Sequence, residues 1–111
     1  APYMKGFEKA ARSTSAFLTL TTATNTMRDW IETGRAYVRC QLAADAAGLR
    51  FQPTSQLLQE YPQMDALRAE LNEVVGVSEP AKIQMLVRVG RTAQPALSPR
   101  RDLSTVVTQS D

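Results

Sequence analysis

From Met27 to Ala47 the chain has no proline, and its apolar residues fall on two separate sides of one helix. Met27, Trp30, Ile31, Gly34, Val38 and Leu42 follow helical steps along one stripe. Ala36, Cys40, Ala43 and Ala47 fall on another side, and all four are small. A helix apolar on two sides must be covered on both, so this segment sets the terms for the whole fold. Asn25 or Thr26 caps its start. Thr26-Met27-Arg28-Asp29 fits the pattern in which hydroxyl and carboxylate satisfy free backbone N–H groups. Gly48 ends it in the left-handed position. Gly34 costs about 1 kcal/mol against alanine inside a helix; its expected use is close approach by a neighbouring backbone.

The remaining elements are shorter. Residues 1–13 read as one short helix or an arm, and Ser13-Thr14-Ser15 as a turn. Residues 16–22 are rich in strand formers. Leu49-Arg50-Phe51-Gln52 is a short strand closed by Pro53, and a short helical segment follows through Glu60. Pro62 suits the first turn of a helix whose apolar face is Met64, Leu67, Leu71, Val74 and Val75, and Gly76 ends it. Residues 83–90 form an apolar strand that only Gln84 and Arg88 interrupt. Residues 93–99 read as extended, and 103–107 as a short strand or helical end. This order implies an α+β or α/β sandwich, with α+β expected.

Three strands and two substantial helices make a thin domain. Each Å² of apolar surface left in water forfeits roughly 25 cal/mol. The expectation is a homodimer or a missing N-terminal half that covers the long helix. The chain begins Ala1-Pro2-Tyr3, which fits a processed protein or a piece of a longer one.

The 111 residues suffice for a single domain, with its core expected at about 16–107. Thirteen basic residues against eleven acidic ones give a net charge of +2 and no dense basic face, so no nucleic-acid partner is expected. No apolar run approaches a membrane span and no secretory signal is visible, so a cytoplasmic protein without a membrane partner is expected. There is one cysteine, Cys40, and no histidine. That removes an internal disulfide, a Cys-His pair and a Ser-His-Asp triad, and no metal site is expected. Cys40 reads as a small buried hydrophobe. Trp30 and Tyr37 read as core or interface. The helical carboxylates, Asp29, Glu32, Asp45, Glu60, Asp65, Glu70 and Glu73, read as solvated faces.

The chain ends in Ser98-Pro99-Arg100-Arg101-Asp102-Leu103. The planar guanidinium fork grips a phosphate through parallel hydrogen bonds and never loses its charge. Two adjacent arginines on a proline-spaced arm suggest an anion site; a solvated basic tail is the alternative, and both stay open on the residues alone.

Three stretches carry a resemblance. Trp30-Ile31-Glu32-Thr33-Gly34-Arg35-Ala36, then Gln41-Leu42-Ala43-Ala44-Asp45-Ala46-Ala47-Gly48-Leu49, then Gln52-Pro53-Thr54-Ser55-Gln56 resemble the C-terminal half of the FMN-dependent nitroreductase family. Leu86-Val87-Arg88-Val89-Gly90 and Ser98-Pro99-Arg100-Arg101-Asp102-Leu103 resemble that family's last core strand and phosphate-contacting tail. The divergent Acg-like branch of actinobacteria is the nearest in character. The resemblance implies the C-terminal portion of an α-β-α sandwich, with a few-stranded sheet and a long central interface helix. It implies FMN at a dimer or pseudo-dimer interface and hydride transfer from NAD(P)H to a nitro, quinone or similar acceptor. It places Pro53, Thr54, Ser55 and Gln56 at the turn beside the flavin ring, where a backbone N–H reaches the reactive nitrogen. It places Arg100 and Arg101 at the FMN phosphate. The family often has glycine near the position of Gln56, and nothing here matches its N-terminal Arg-Ser-x-Arg-like segment. The 111 residues alone are therefore expected to be inactive. The alternative is a non-catalytic domain of the same fold that binds or sequesters flavin or engages another protein.

Overall fold

The computed structural model describes residues 2–93, 96 and 98–107. Among them it shows an α+β fold of three α-helices and a three-stranded antiparallel sheet. The helices are α1 (Pro2–Arg12), α2 (Met27–Ala46) and α3 (Asp65–Val75); the strands are β1 (Ala16–Thr22), β2 (Arg50–Pro53) and β3 (Lys82–Gly90). Residues 2–12 are thus helical rather than a loose arm. Short 3-10 turns occupy Gln56–Leu58, Pro62–Met64 and Leu103–Thr105. The last of these is exposed and is not a strand. Residues 94, 95 and 97 of the expected extended arm lie outside the described residues.

The sheet order is β1-β3-β2, so the most apolar strand is central and pairs on both sides. Phe17 and Gln52 both stand opposite Arg88, while Ala16 and Phe51 both stand opposite Val89. Side chains alternate across a sheet. One face therefore carries Arg88 with Phe17 and Gln52, and the other carries Val89 with Ala16 and Phe51. The register shifts between Leu20 and Thr21, which leaves Gln84 without an opposite residue on β1. Its amide turns instead to the Thr22 hydroxyl at 2.9 Å and to Asn25 Oδ1 at 3.1 Å.

The start of α2 follows its sequence. Thr26 Oγ1 accepts from the Asp29 N–H at 3.3 Å, and the Asp29 carboxylate accepts from the Thr26 N–H at 2.8 Å. Gly48 (φ 71°) and Gly76 (φ 76°) take the left-handed conformation beyond the ends of α2 and α3, where only glycine sits without strain.

The side on which α2 packs is a correction to the sequence reading. Its inward face is Thr33, Ala36, Tyr37, Cys40 and Ala44, all buried or half-buried, and the Tyr37 ring lies 6.2 Å from Phe51 on the sheet. Of the expected small stripe Ala36 and Cys40 face inward, whereas Ala43 and Ala47 are exposed, and Thr33, Tyr37 and Ala44 complete the inner side. The large stripe faces out instead. Trp30 is 53% exposed, Ile31 60% and Leu42 67%, with Met27 and Val38 alongside. Gly34 lies in that stripe, and a Cβ there would meet nothing within 4 Å. The expected close approach at Gly34 does not occur within this chain.

The core is correspondingly small. Among the described residues the buried apolar side chains are Ala44, Ile83, Leu86 and Val87. The chain exposes 9103 Å², against about 6,100 Å² for a compact monomer of this length. Its radius of gyration is 18.0 Å, against about 13 Å for such a domain. Among the described residues no helix is long and apolar enough to cross a membrane.

Candidate functional site

The sheet face opposite α2 carries an arginine on its central strand. Strand β3, the middle strand of the sheet, supplies Arg88 two residues before its end, and all three branches of the guanidinium are engaged. Nε donates to Thr14 Oγ1, Nη1 to Gln52 Oε1, and Nη2 to the Ala10 carbonyl at 2.6 Å. Each acceptor is a neutral oxygen. The side chain therefore binds the end of α1, the following turn and β2 together, and among the described residues its charge meets no carboxylate.

Three cavities open around this side chain. One of about 410 Å³ is lined by Gly6, Ala10, Gln52, Pro53, Thr54 and Gln56 together with Arg88. An apolar one of about 190 Å³ shares Thr54, Gln56 and Arg88 with it, and adds Phe17, Leu57 and Leu86. The largest, about 550 Å³, lies toward Gly90 and also has Arg88 in its wall.

The turn that leaves β2 is fixed to the sheet. The Thr54 N–H donates to the Leu86 carbonyl at 2.9 Å, and its hydroxyl reaches the same oxygen at 3.3 Å. Chain direction changes at once into the 3-10 turn, where the Leu58 N–H returns to the Ser55 carbonyl at 3.0 Å. Among the described residues the Ser55 N–H makes no hydrogen bond. A fixed turn with a free backbone donor can serve an acceptor in a flat ligand laid on this face.

Of the residues expected from sequence, Pro53, Thr54 and Gln56 are brought together in one cavity wall, with Ser55 between the last two. Arg100 and Arg101 are exposed, and neither forms an ion pair or hydrogen bond among the described residues. Among the described residues they line none of the three cavities around Arg88. Arg88 itself was visible in sequence only as a charge interrupting an apolar strand. A cationic side chain at a central strand position is the signal that marks it.

Other polar groups hold the ends of the sheet. The Trp30 indole donates to Asn25 Oδ1 at 2.8 Å, joining α2 to the Gln84 network. The hydroxyl of Thr24, then the hydroxyl and N–H of Thr26, hold the Asp29 carboxyl below its ordinary value of 3.8. Hydrogen bonding from the Lys82 ammonium, and then its charge, lower the Glu60 carboxyl. Several carboxylates are thus engaged rather than merely solvated: Asp29 in the cap, Asp45 with Arg50, Glu60 with Lys82 and Asp65 with Arg68. Set against models of known protein families and against curated proteins, the chain matches none.

Proposed function

We propose that this chain is the C-terminal, flavin-facing portion of an FMN-dependent NAD(P)H oxidoreductase of nitroreductase type, folded as part of an α-β-α sandwich. The observation that carries the reading is the wall formed by Pro53, Thr54 and Gln56 beside Arg88. It joins an apolar recess to the Arg88 guanidinium and to a turn that the Thr54 N–H fixes to the sheet. Those features suit an aromatic ring system with one apolar face and a polar edge. FMN supplies hydride transfer to a nitro, quinone or similar acceptor, and the protein supplies position and polarisation.

In this reading the turn of Pro53, Thr54, Ser55 and Gln56 would lie beside the ring and offer a backbone N–H to its edge. Phe17, Leu57 and Leu86 exclude water from the apolar side. Arg88 places positive charge beside the ring, where added electron density is stabilised. Arg100 and Arg101 reach the phosphate when the covering half is present. The outward stripe of α2 supports that partner, a second copy of the chain or an N-terminal half.

The test is flavin binding by the chain with its covering half. FMN should be bound with quenched fluorescence, and NADH or NADPH should bleach it. A complete, folded protein that neither retains nor takes up FMN overturns the reading. FMN bound but not bleached by either nucleotide selects the flavin-sequestering alternative.

A further inference from the structure

We propose that the cleft formed by the turn before β1 and the adjoining ends of β2 and β3 is a phosphate-binding site, with Arg50, Arg88 and Arg91 as its cationic wall. It goes beyond the flavin reading and does not depend on it. The cavity measures about 550 Å³, and its lining includes the hydroxyls of Ser13, Thr14 and Ser15 beside the three arginines. Strand pairing produces this grouping. Arg50 stands opposite Gly90, one residue before Arg91, while Gln52 stands opposite Arg88. Residues that are distant in sequence thus meet at one end of the sheet.

The charge in the cleft is not balanced. Arg88 is bound only to neutral oxygens. Arg50 pairs with Asp45, a carboxylate whose side chain is 70% exposed, and also reaches the Leu49 carbonyl. Arg91 lies over the end of α2, with Nη1 3.7 Å from the place of a Cβ on Gly48. The alternative account is that these cations serve only the negative end of α2. That end carries about half an elementary charge, so with Asp45 it offsets about half of three guanidinium charges. The remainder calls for an anion from outside.

A second observation points the same way. Arg50 Nε is buried and has no hydrogen-bond partner. Buried polar groups are nearly always paired, so this Nε–H leaves the Arg50 guanidinium short of one partner. A phosphate oxygen accepts readily from guanidinium N–H groups, and the Ser15 hydroxyl adds a donor, while the hydroxyls of Ser13 and Thr14 already donate to the Ala10 carbonyl. The three arginines and the size of the cleft fit a phosphate group, free or as the ester of a small molecule.

The experiment is a titration of the full 111-residue chain followed through its arginine Nε–Hε NMR signals. Inorganic phosphate should move the Arg50 signal first, with those of Arg88 and Arg91, and saturate below about 1 mM at low salt. Arg91→Gln, at an exposed position, should weaken binding about tenfold, whereas Arg12→Gln should leave it unchanged. Circular dichroism confirms that both variants fold. Adenosine 5′-phosphate distinguishes the sources. Tighter binding than inorganic phosphate assigns the site to a phosphate ester, and weaker binding assigns it to the free ion; either supports a phosphate site. Equal shifts with chloride at matched ionic strength would falsify it, as would saturation at Arg100 and Arg101 without movement at Arg50.

Discussion

The Arg88 guanidinium donates to the backbone carbonyl of Ala10 across 78 residues of sequence, at 2.6 Å. That contact, with the one to Thr14 Oγ1, fastens α1 and the turn after it to the centre of the sheet. Replacing Arg88 by Ala leaves the Ala10 carbonyl and Gln52 amide oxygen without their charged donor, and each such bond contributes about 1.5–3 kcal/mol. Arg88→Ala should therefore lower the unfolding free energy by at least about 2 kcal/mol. It should also release α1 first, seen as faster tryptic cleavage at Lys9 and Arg12. Unchanged cleavage there would show that α1 is held by other means.

Leu42 is 67% exposed on the outward stripe of α2. Exposed substitutions usually stay within about 0.5 kcal/mol, so Leu42→Glu should barely change unfolding of an isolated chain. Association is another matter, because a charge would enter an apolar contact. Sedimentation should show assembly by the parent chain and its loss in Leu42→Glu. Trp30, the one tryptophan, gives an independent reading, since its emission should shift to the blue only when the stripe is covered.

Glycine positions separate two roles. Gly34→Ala meets open space at its Cβ and should stabilise the isolated chain by about 0.8–1 kcal/mol through helix propensity. Gly48 has φ 71°, so Gly48→Ala should destabilise by about 1 kcal/mol or more. Urea midpoints measured on both variants should move in opposite directions. If they move together, the backbone reading of α2 and its end is at fault.

Acid should weaken the fold through two carboxylates. The Thr24 and Thr26 hydroxyls depress Asp29, and the Lys82 ammonium depresses Glu60. A depressed carboxylate contributes stability that is present above its unfolded value and is lost as pH falls through the folded value. The loss therefore begins near the ordinary values of 3.8 and 4.5 and grows below them. Asp29→Asn and Glu60→Gln should lower the melting temperature at pH 7 and flatten its decline below pH 4.5. A parent chain whose melting temperature is level across that window would contradict both assignments.

Arg100 and Arg101 test the tail. In the complete protein their joint replacement by Ala should weaken FMN binding by about 1.5–3 kcal/mol for each charged hydrogen bond lost. Riboflavin, which lacks the phosphate, should bind both forms alike. An FMN affinity indifferent to the double substitution removes the tail from the flavin site.

Local chemistry was the legible part of this fold. The pair Thr26 and Asp29 marked the start of α2, Gly48 and Gly76 marked helix ends, and residues 83–90 read as a core strand. These signals act over a few residues, and each has one cheap solution. The orientation of α2 was not legible, because both of its sides are apolar and periodicity cannot choose between them. Packing chose, since Thr33, Ala36 and Ala44 allow closer contact with the sheet than Trp30 or Leu42 would. The grouping of Arg50, Arg88 and Arg91 was also hidden, because it depends on the pairing of β2 with β3. Arg100 and Arg101 were conspicuous as neighbours in sequence, yet among the described residues they have no partner in space.

The order β1-β3-β2 also has a practical consequence. Among the described residues strand β1 offers one row of unpaired backbone groups along Ala16–Thr22, and none of those residues is charged. It lacks proline and inward-turned charge, the usual guards against edge-to-edge growth. Short uncharged segments of high strand propensity are also what fibres are built from. The chain kept alone at high concentration should thus lengthen its sheet through β1, and a single lysine at exposed Thr21 is the smallest change that should keep it in solution.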